Sequence, residues 1–154
     1  MLFNGTISEN IAYGDETPCE NNIHDAAVIG QADEFITKRP EGYSSIVEHG
    51  GANFSEGQRQ RLTISRAVCK KPEIYLFDDS FSALDLVTDK KLRQSLKQNS
   101  NGATILIAAQ RISTIIDADK IIVIDKGRVI AEGTYEELMT SCSIYQEIAE
   151  SQIG

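Results

Sequence analysis

The chain of 154 residues is long enough for one compact core, or for one domain with a small appended lobe. Its net charge of −8, with Lys and Arg scattered rather than clustered, argues against non-specific attraction to nucleic acid or to an anionic membrane surface. The longest apolar runs, Ile105 to Ala109 and Ile121 to Ile124, fall far short of the ~20 residues of a bilayer-spanning helix, and Met1-Leu2-Phe3-Asn4-Gly5 lacks the basic stretch of a signal peptide.

Residues 1 to about 16 mix short apolar and polar pieces, with a turn at Gly14-Asp15 and a stop at Pro18. Between Asn22 and Thr37 the apolar residues Ile23, Ala26, Ala27, Ile29, Ala32, Phe35 and Ile36 recur at three- and four-residue steps. One helix is expected there, capped by Asn21 or Asn22 and ended before Pro40. A loop through Pro40-Glu41-Gly42-Tyr43 and Gly50-Gly51 leads to Ser55, which is placed to cap a helix that turns Leu62, Ile64, Ala67 and Val68 inward and stops at Lys70-Lys71-Pro72.

Beyond Pro72 the pattern becomes β/α alternation. Ile74 to Phe77 is a continuous apolar strand, expected to be buried on both faces, and Ala103 to Ala109 is a second buried strand, with a polar-rich helix from Leu86 to Lys97 between them. A helical turn follows over Ile112 to Ile116. Lys120 to Asp125 and Arg128 to Glu132 read as a hairpin turning at Lys126-Gly127. Thr134-Tyr135-Glu136-Glu137 is a capping box for one helix, and Ser143 to Glu150 forms another. The expectation is two lobes, a mostly helical one over residues 1–72 and a β/α one over residues 73–154.

Three spaced motifs carry the chemistry. Phe54-Ser55-Glu56-Gly57-Gln58 opens a helix with a Ser-x-Gly-Gln turn, and the free N–H groups at such a start suit a phosphate. One helix-length later, Ile74-Tyr75-Leu76-Phe77-Asp78-Asp79 ends an apolar strand in two carboxylates, and Ser82-Ala83-Leu84-Asp85 follows. In this order they resemble the signature, the Walker B strand and the D-loop of the ATP-binding cassette (ABC) ATPases. Leu2-Phe3-Asn4-Gly5-Thr6-Ile7-Ser8-Glu9-Asn10-Ile11 and Ala109-Gln110-Arg111-Ile112-Ser113-Thr114 are similar to exporter-type cassettes in particular. The resemblance implies an α/β fold: a partial P-loop NTPase (RecA-like) core, with residues 1–72 as the α-helical signature subdomain and residues 73–154 as the C-terminal part of the core. It covers nearly the whole chain.

The resemblance also assigns roles. Asp78 would hold Mg²⁺ through water, with a cap for the next element as the bland alternative. Asp79 stands where active cassettes carry the glutamate that polarises the attacking water, and a carboxylate set back by ~1 Å can lower the rate ~10²-fold unless the backbone shifts to compensate. Gln110 stands where the family has histidine, and its amide can bond a γ-phosphate but cannot become cationic. Asp79 and Gln110 together resemble the weakened half of heterodimeric exporters, with chance drift in an inactive remnant as the bland alternative. Ser55, Gly57 and Gln58 would close over ATP held by a partner subunit, while Glu56 replaces a family glycine and sets a carboxylate beside phosphate. Ser82 and Asp85 would lie at the dimer interface, although Asp85 is also simply an acid at a helix start.

Other polar residues carry less. Glu48 and His49 lie near the acidic loop that meets the membrane domain in exporters, one position out of register, and His24 reads as a surface or half-buried helix residue. Cys19, Cys69 and Cys142 read as dispersed reduced thiols with no zinc spacing. No G-x-x-x-x-G-K-[ST] occurs, so the main nucleotide grip is missing from these residues, which are expected to be a truncated cassette.

The leading expectation is an ATPase segment of an ABC exporter, using ATP and Mg²⁺ at the cytoplasmic face of a membrane, with a second cassette and a transmembrane domain as partners and no nucleic acid. The rivals are a soluble ABC ATPase acting on nucleic acid or ribosomes, which the acidic balance disfavours, and a non-enzymatic remnant.

Overall fold

In the computed structural model, which describes residues 1–15 and 17–153, the N-terminal stretch is already ordered into elements that periodicity did not separate. A two-residue strand β1 (Gly5–Thr6) pairs antiparallel with β2 (Ile46–Val47), and helix α1 (Ile7–Ala12) starts at once behind it. The reason is a reciprocal cap: the Thr6 hydroxyl accepts the Glu9 N–H and the Glu9 carboxylate accepts the Thr6 N–H at 2.6 Å.

The single helix expected over residues 22–37 is instead two, α2 (Glu20–Ile29) and α3 (Asp33–Thr37). The break comes where Gly30 closes α2 against α4 (Glu56–Cys69): a Cβ at Gly30 would run into the Ser65 hydroxyl oxygen, and Gln31 follows in the left-handed region at φ 57°. The expected asparagine cap is also corrected: Cys19 occupies the N-cap without a side-chain bond, and Asn22 accepts from Lys71 Nζ at 2.9 Å instead. Gly30→Ala is expected to destabilise the protein by about 1–3 kcal/mol through overpacking, read as a lower urea midpoint at unchanged m. Adding Ser65→Ala should recover part of that loss, because the oxygen in the way is removed.

Helix α4 packs against both α1 and α2, and Ile7, Ile11, Ala26, Ala27, Leu62 and Ile64 form the core between them. Strand β3 (Ile74–Asp78) is not buried on both faces. Tyr75 and Phe77 are buried and stacked at 5.9 Å, whereas Ile74 and Leu76 are 63% and 73% exposed. Strand β4 (Thr104–Ala108), the second strand expected to be buried, likewise alternates, with Leu106 51% exposed. An apolar run of four residues looks the same whether one face or two are covered. Among the described residues β3 pairs only with β4, so the aromatic face turns inward and the aliphatic one does not. Helix α5 (Leu86–Asn99) buries Leu92 and Leu96.

The chain divides into two units, Met1–Leu106 and Ile107–Gly154. The second holds α6 (Ile112–Ile115), the hairpin β5 (Ile121–Asp125) and β6 (Arg128–Gly133), and helices α7 (Tyr135–Ser141) and α8 (Ser143–Ile153). The hairpin turns at Lys126-Gly127 as expected, with φ values of 47° and 75° matching a two-residue turn of the primed type. Its register shifts between Val123 and Ile124, which places an irregularity opposite Ile130. The Thr134 capping box is formed with Glu137, and Leu138, Tyr145, Ala149, Ile121 and Val123 make this unit's core. Among the described residues no helix is long and apolar enough to cross a membrane.

Candidate functional site

The start of α4 is built by Ser55, whose hydroxyl accepts the Gln58 N–H at 3.3 Å while the Gln58 side chain accepts the Ser55 N–H at 3.0 Å. Both halves of the box expected from Ser55-x-x-Gln58 are formed. The helical ladder cannot reach the N–H groups of Glu56 and Gly57, so the first turn presents donors and the positive end of the helix on a surface where Ser55 and Glu56 are exposed. Below the turn Gly57 is held close to the chain after β3: a Cβ there would stand 3.0 Å from the Ala83 carbonyl oxygen. The arginines that follow are committed to structure. Arg59 donates to the Phe54 carbonyl at 2.8 Å, and Arg61 donates to the Gln31 carbonyl at 2.9 Å with its guanidinium 4.8 Å from the centre of the Phe35 ring.

Asp78 and Asp79 end β3 as exposed carboxylates. Asp79 takes the left-handed conformation at φ 48°, which turns the backbone sharply out of the strand. The reversal is pinned by Ser82, whose hydroxyl donates to the Asp79 carbonyl at 2.9 Å, and by Phe81, whose ring meets that of Phe77 edge-on at 5.3 Å. The segment ends at Asp85, the N-cap of α5, whose carboxylate accepts from the Val87 and Thr88 N–H groups and, at 2.6 Å, from the Thr88 hydroxyl.

The Thr88 hydroxyl bond and then its N–H hold the Asp85 carboxyl below the usual carboxylate range. A depressed folded-state pKa means that the cap's stabilisation is present above the ordinary aspartate pKa and is lost as pH falls through the lower, folded value. Fraying of the first turn of α5 is therefore expected only below the ordinary aspartate range, followed by the amide signals of Val87 and Thr88. Asp85→Asn, which still accepts N–H bonds, should abolish that acid step.

The structure thus brings the Ser55–Gln58 turn and the Asp78–Asp85 turn together in one unit, joined by Gly57 against Ala83 and by Gln60, whose side-chain amide bonds both Ser82 and Ala83. Gln60 was not singled out from the sequence, and its place one helical turn past Gly57 is the signal that marks it. Gln110 lies in the other unit, exposed behind β4, with its carbonyl accepting from Gln152 Nε2 at 2.8 Å. Glu48 and His49 are exposed, and His24 sits on the outer side of α2 with Nε2 3.7 Å from an Asp33 carboxylate oxygen. Cys19 is exposed, Cys69 and Cys142 are buried, and all three are free thiols.

The sequence model of the ABC transporter family matches residues 3–82, the stretch that contains the Ser55–Gln58 turn and the Asp78–Ser82 part of the acidic one. The chain belongs to the ABC transporter family. It is 46% identical over 154 residues to an uncharacterised ABC transporter ATP-binding protein of Mycobacterium bovis, covering 98% of this chain and 26% of that protein. It is 44% identical to the ABC transporter ATP-binding protein YfiB of Bacillus subtilis, covering 100% of this chain and 26% of YfiB. Among solved structures, a bacterial Atm1-family ABC exporter with ATP bound superposes at a TM-score of 0.95 with 35% identity, over 99% of this chain and 27% of the exporter. The fold is therefore that of part of an ABC exporter's nucleotide-binding domain, a P-loop NTPase fold, and the chain spans about a quarter of the length of the curated relatives it matches.

Proposed function

We propose that this ABC chain supplies the signature turn and the acidic turn of an exporter's ATPase, at the cytoplasmic face of a membrane, and that its own composite site hydrolyses ATP slowly. In this reading residues 1–72 form the signature subdomain and residues 73–154 the C-terminal part of the RecA-like core. The partners are a second, non-identical cassette and a transmembrane domain. The observation that carries the reading is the exposed, capped start of α4 held against the Asp79–Asp85 turn through Gly57 and Ala83.

Ser55 and the first-turn N–H groups of α4 bind the terminal phosphate of ATP on the partner, where fixed donors stabilise developing charge without reorganising. Glu56 turns its carboxylate away from that phosphate, a freedom its exposure supports. At the chain's own site Asp79 orients the attacking water from a set-back position, and Gln110 bonds the γ-phosphate without carrying charge. Ser82 and Asp85 meet the partner cassette. Asp78 fits Mg²⁺, because an exposed carboxylate at the end of β3 is the kind of hard oxygen donor that this ion takes. Mg²⁺ is held by one or two carboxylates with waters and phosphates, and supplies charge neutralisation at the β- and γ-oxygens when bound.

MgATP titrated into the chain alone, and into a mixture with an intact partner cassette, tests the proposal. Weak binding alone together with stimulated hydrolysis by the partner is the expected result. No effect in either mixture would overturn it.

A further inference from the structure

Gln60 fastens the turn that carries Asp79 to α4. Gln60 Nε2 donates to the Ser82 hydroxyl oxygen at 3.2 Å, and Gln60 Oε1 accepts the Ala83 N–H at 3.1 Å. The backbone N–H fixes which way the amide faces, since only the oxygen can accept it. The Ser82 hydroxyl, receiving from Gln60, spends its own proton on the Asp79 carbonyl at 2.9 Å. A continuous relay therefore runs from the second turn of α4 to the backbone of the one residue in the turn with a left-handed φ, 48°. That conformation is unfavourable for a non-glycine residue and persists where its surroundings over-determine it. Gly57, one helical turn earlier, lets the same helix approach the Ala83 carbonyl.

We propose that Gln60 is a positioning residue for Asp79: its amide, through Ser82 and Ala83, holds the turn that aims the Asp79 carboxylate, so that the phosphate-facing start of α4 and the acid at the end of β3 move as one piece. The inference rests on the role given to Asp79 above. Gln60 itself touches no reacting atom.

The test uses the complete two-cassette transporter, with the partner's own water-polarising acid removed so that single-turnover hydrolysis reports this chain's site. Gln60→Ala is expected to lower the hydrolysis rate about tenfold, because a shift well under 1 Å at a catalytic base is felt in the rate, while the MgATP concentration for half-saturation stays unchanged. Ser82→Ala, which keeps Gln60 on Ala83, should lower it by a smaller factor and guards against Gln60→Ala failing to fold. The deciding arm is Asp79→Asn: in that background Gln60→Ala should have no further effect on the rate, as a residue acting through Asp79 requires. An equal loss in both backgrounds means a merely structural role and overturns the inference alone. A rate indifferent to Asp79→Asn overturns the role of Asp79, and the inference with it.

Discussion

Asp79→Glu is expected to raise hydrolysis at this chain's own composite site about 10²-fold, and Gln110→His added to it should raise the rate again. The first step is geometric. Asp79 sits at φ 48° with its carboxylate exposed, so an added methylene extends the acid into open space instead of into the core. The second is electrostatic, because a histidine can carry positive charge toward the γ-phosphate where an amide presents only a dipole. The gain has a structural counterpart. Aspartate tolerates the left-handed region better than glutamate, and the longer acid should lower unfolding stability by roughly 1 kcal/mol. Single-turnover hydrolysis with the partner's acid removed, paired with a urea titration, reads both effects. A rate unmoved by both substitutions removes the weakened site from the proposal, while leaving the family and the signature turn untouched.

What the sequence discloses about this site is what lies within a few residues. The Ser55–Gln58 and Thr134–Glu137 boxes and the Asp85 cap each close over three residues, and all three form as their spacing implies. The Thr6–Glu9 box has the same pattern and opens α1 in the same way, although the short apolar pieces around it hide the helix from a periodicity argument. The break at Gly30 is invisible for a different reason. It falls where Gly30 meets Ser65, a residue of another helix, and nothing in the spacing of residues 22–37 encodes that meeting. The faces of β3 are ambiguous because four apolar residues in a row fit either one covered face or two. Only the separation of aromatic Tyr75 and Phe77 from aliphatic Ile74 and Leu76 hints at the outcome. In the candidate site the types of residue are legible, whereas Gln60 and the left-handed turn at Asp79 appear only once the chain has brought α4 and the end of β3 together.

Arg66→Met is expected to be strongly destabilising in the helical part of the chain, by about 3 kcal/mol, since it deletes three charge-assisted hydrogen bonds. Arg66 leaves α4 toward the N-terminal segment, where Nε donates to the Asn10 carbonyl, Nη2 to Asn10 Oδ1 and Nη1 to the Met1 carbonyl, all at 2.8 Å. Its guanidinium lies 4.7 Å from the centre of the Phe3 ring and 5.6 Å from that of Tyr13. Asn10 is buried and returns the grip, donating to the Phe3 and Thr6 carbonyls at 2.8 and 3.0 Å. Partial burial pulls the Arg66 pKa below its ordinary value, yet a guanidinium stays charged at any pH the fold survives, so this clasp carries no pH dependence of its own. Methionine keeps the apolar stem and loses the fork. At roughly 2–4 °C per kcal/mol for a chain of this size, the melting temperature should fall by about 6–12 °C. Arg66→Lys should recover less than half of that, because one ammonium cannot reach three acceptors held in a planar fan. Asn10→Ala should be strongly non-additive with Arg66→Met, since each removes the other's partner. A loss under about 0.5 kcal/mol for Arg66→Met would mean that the packing of α1 on α4, and not this clasp, fastens the segment.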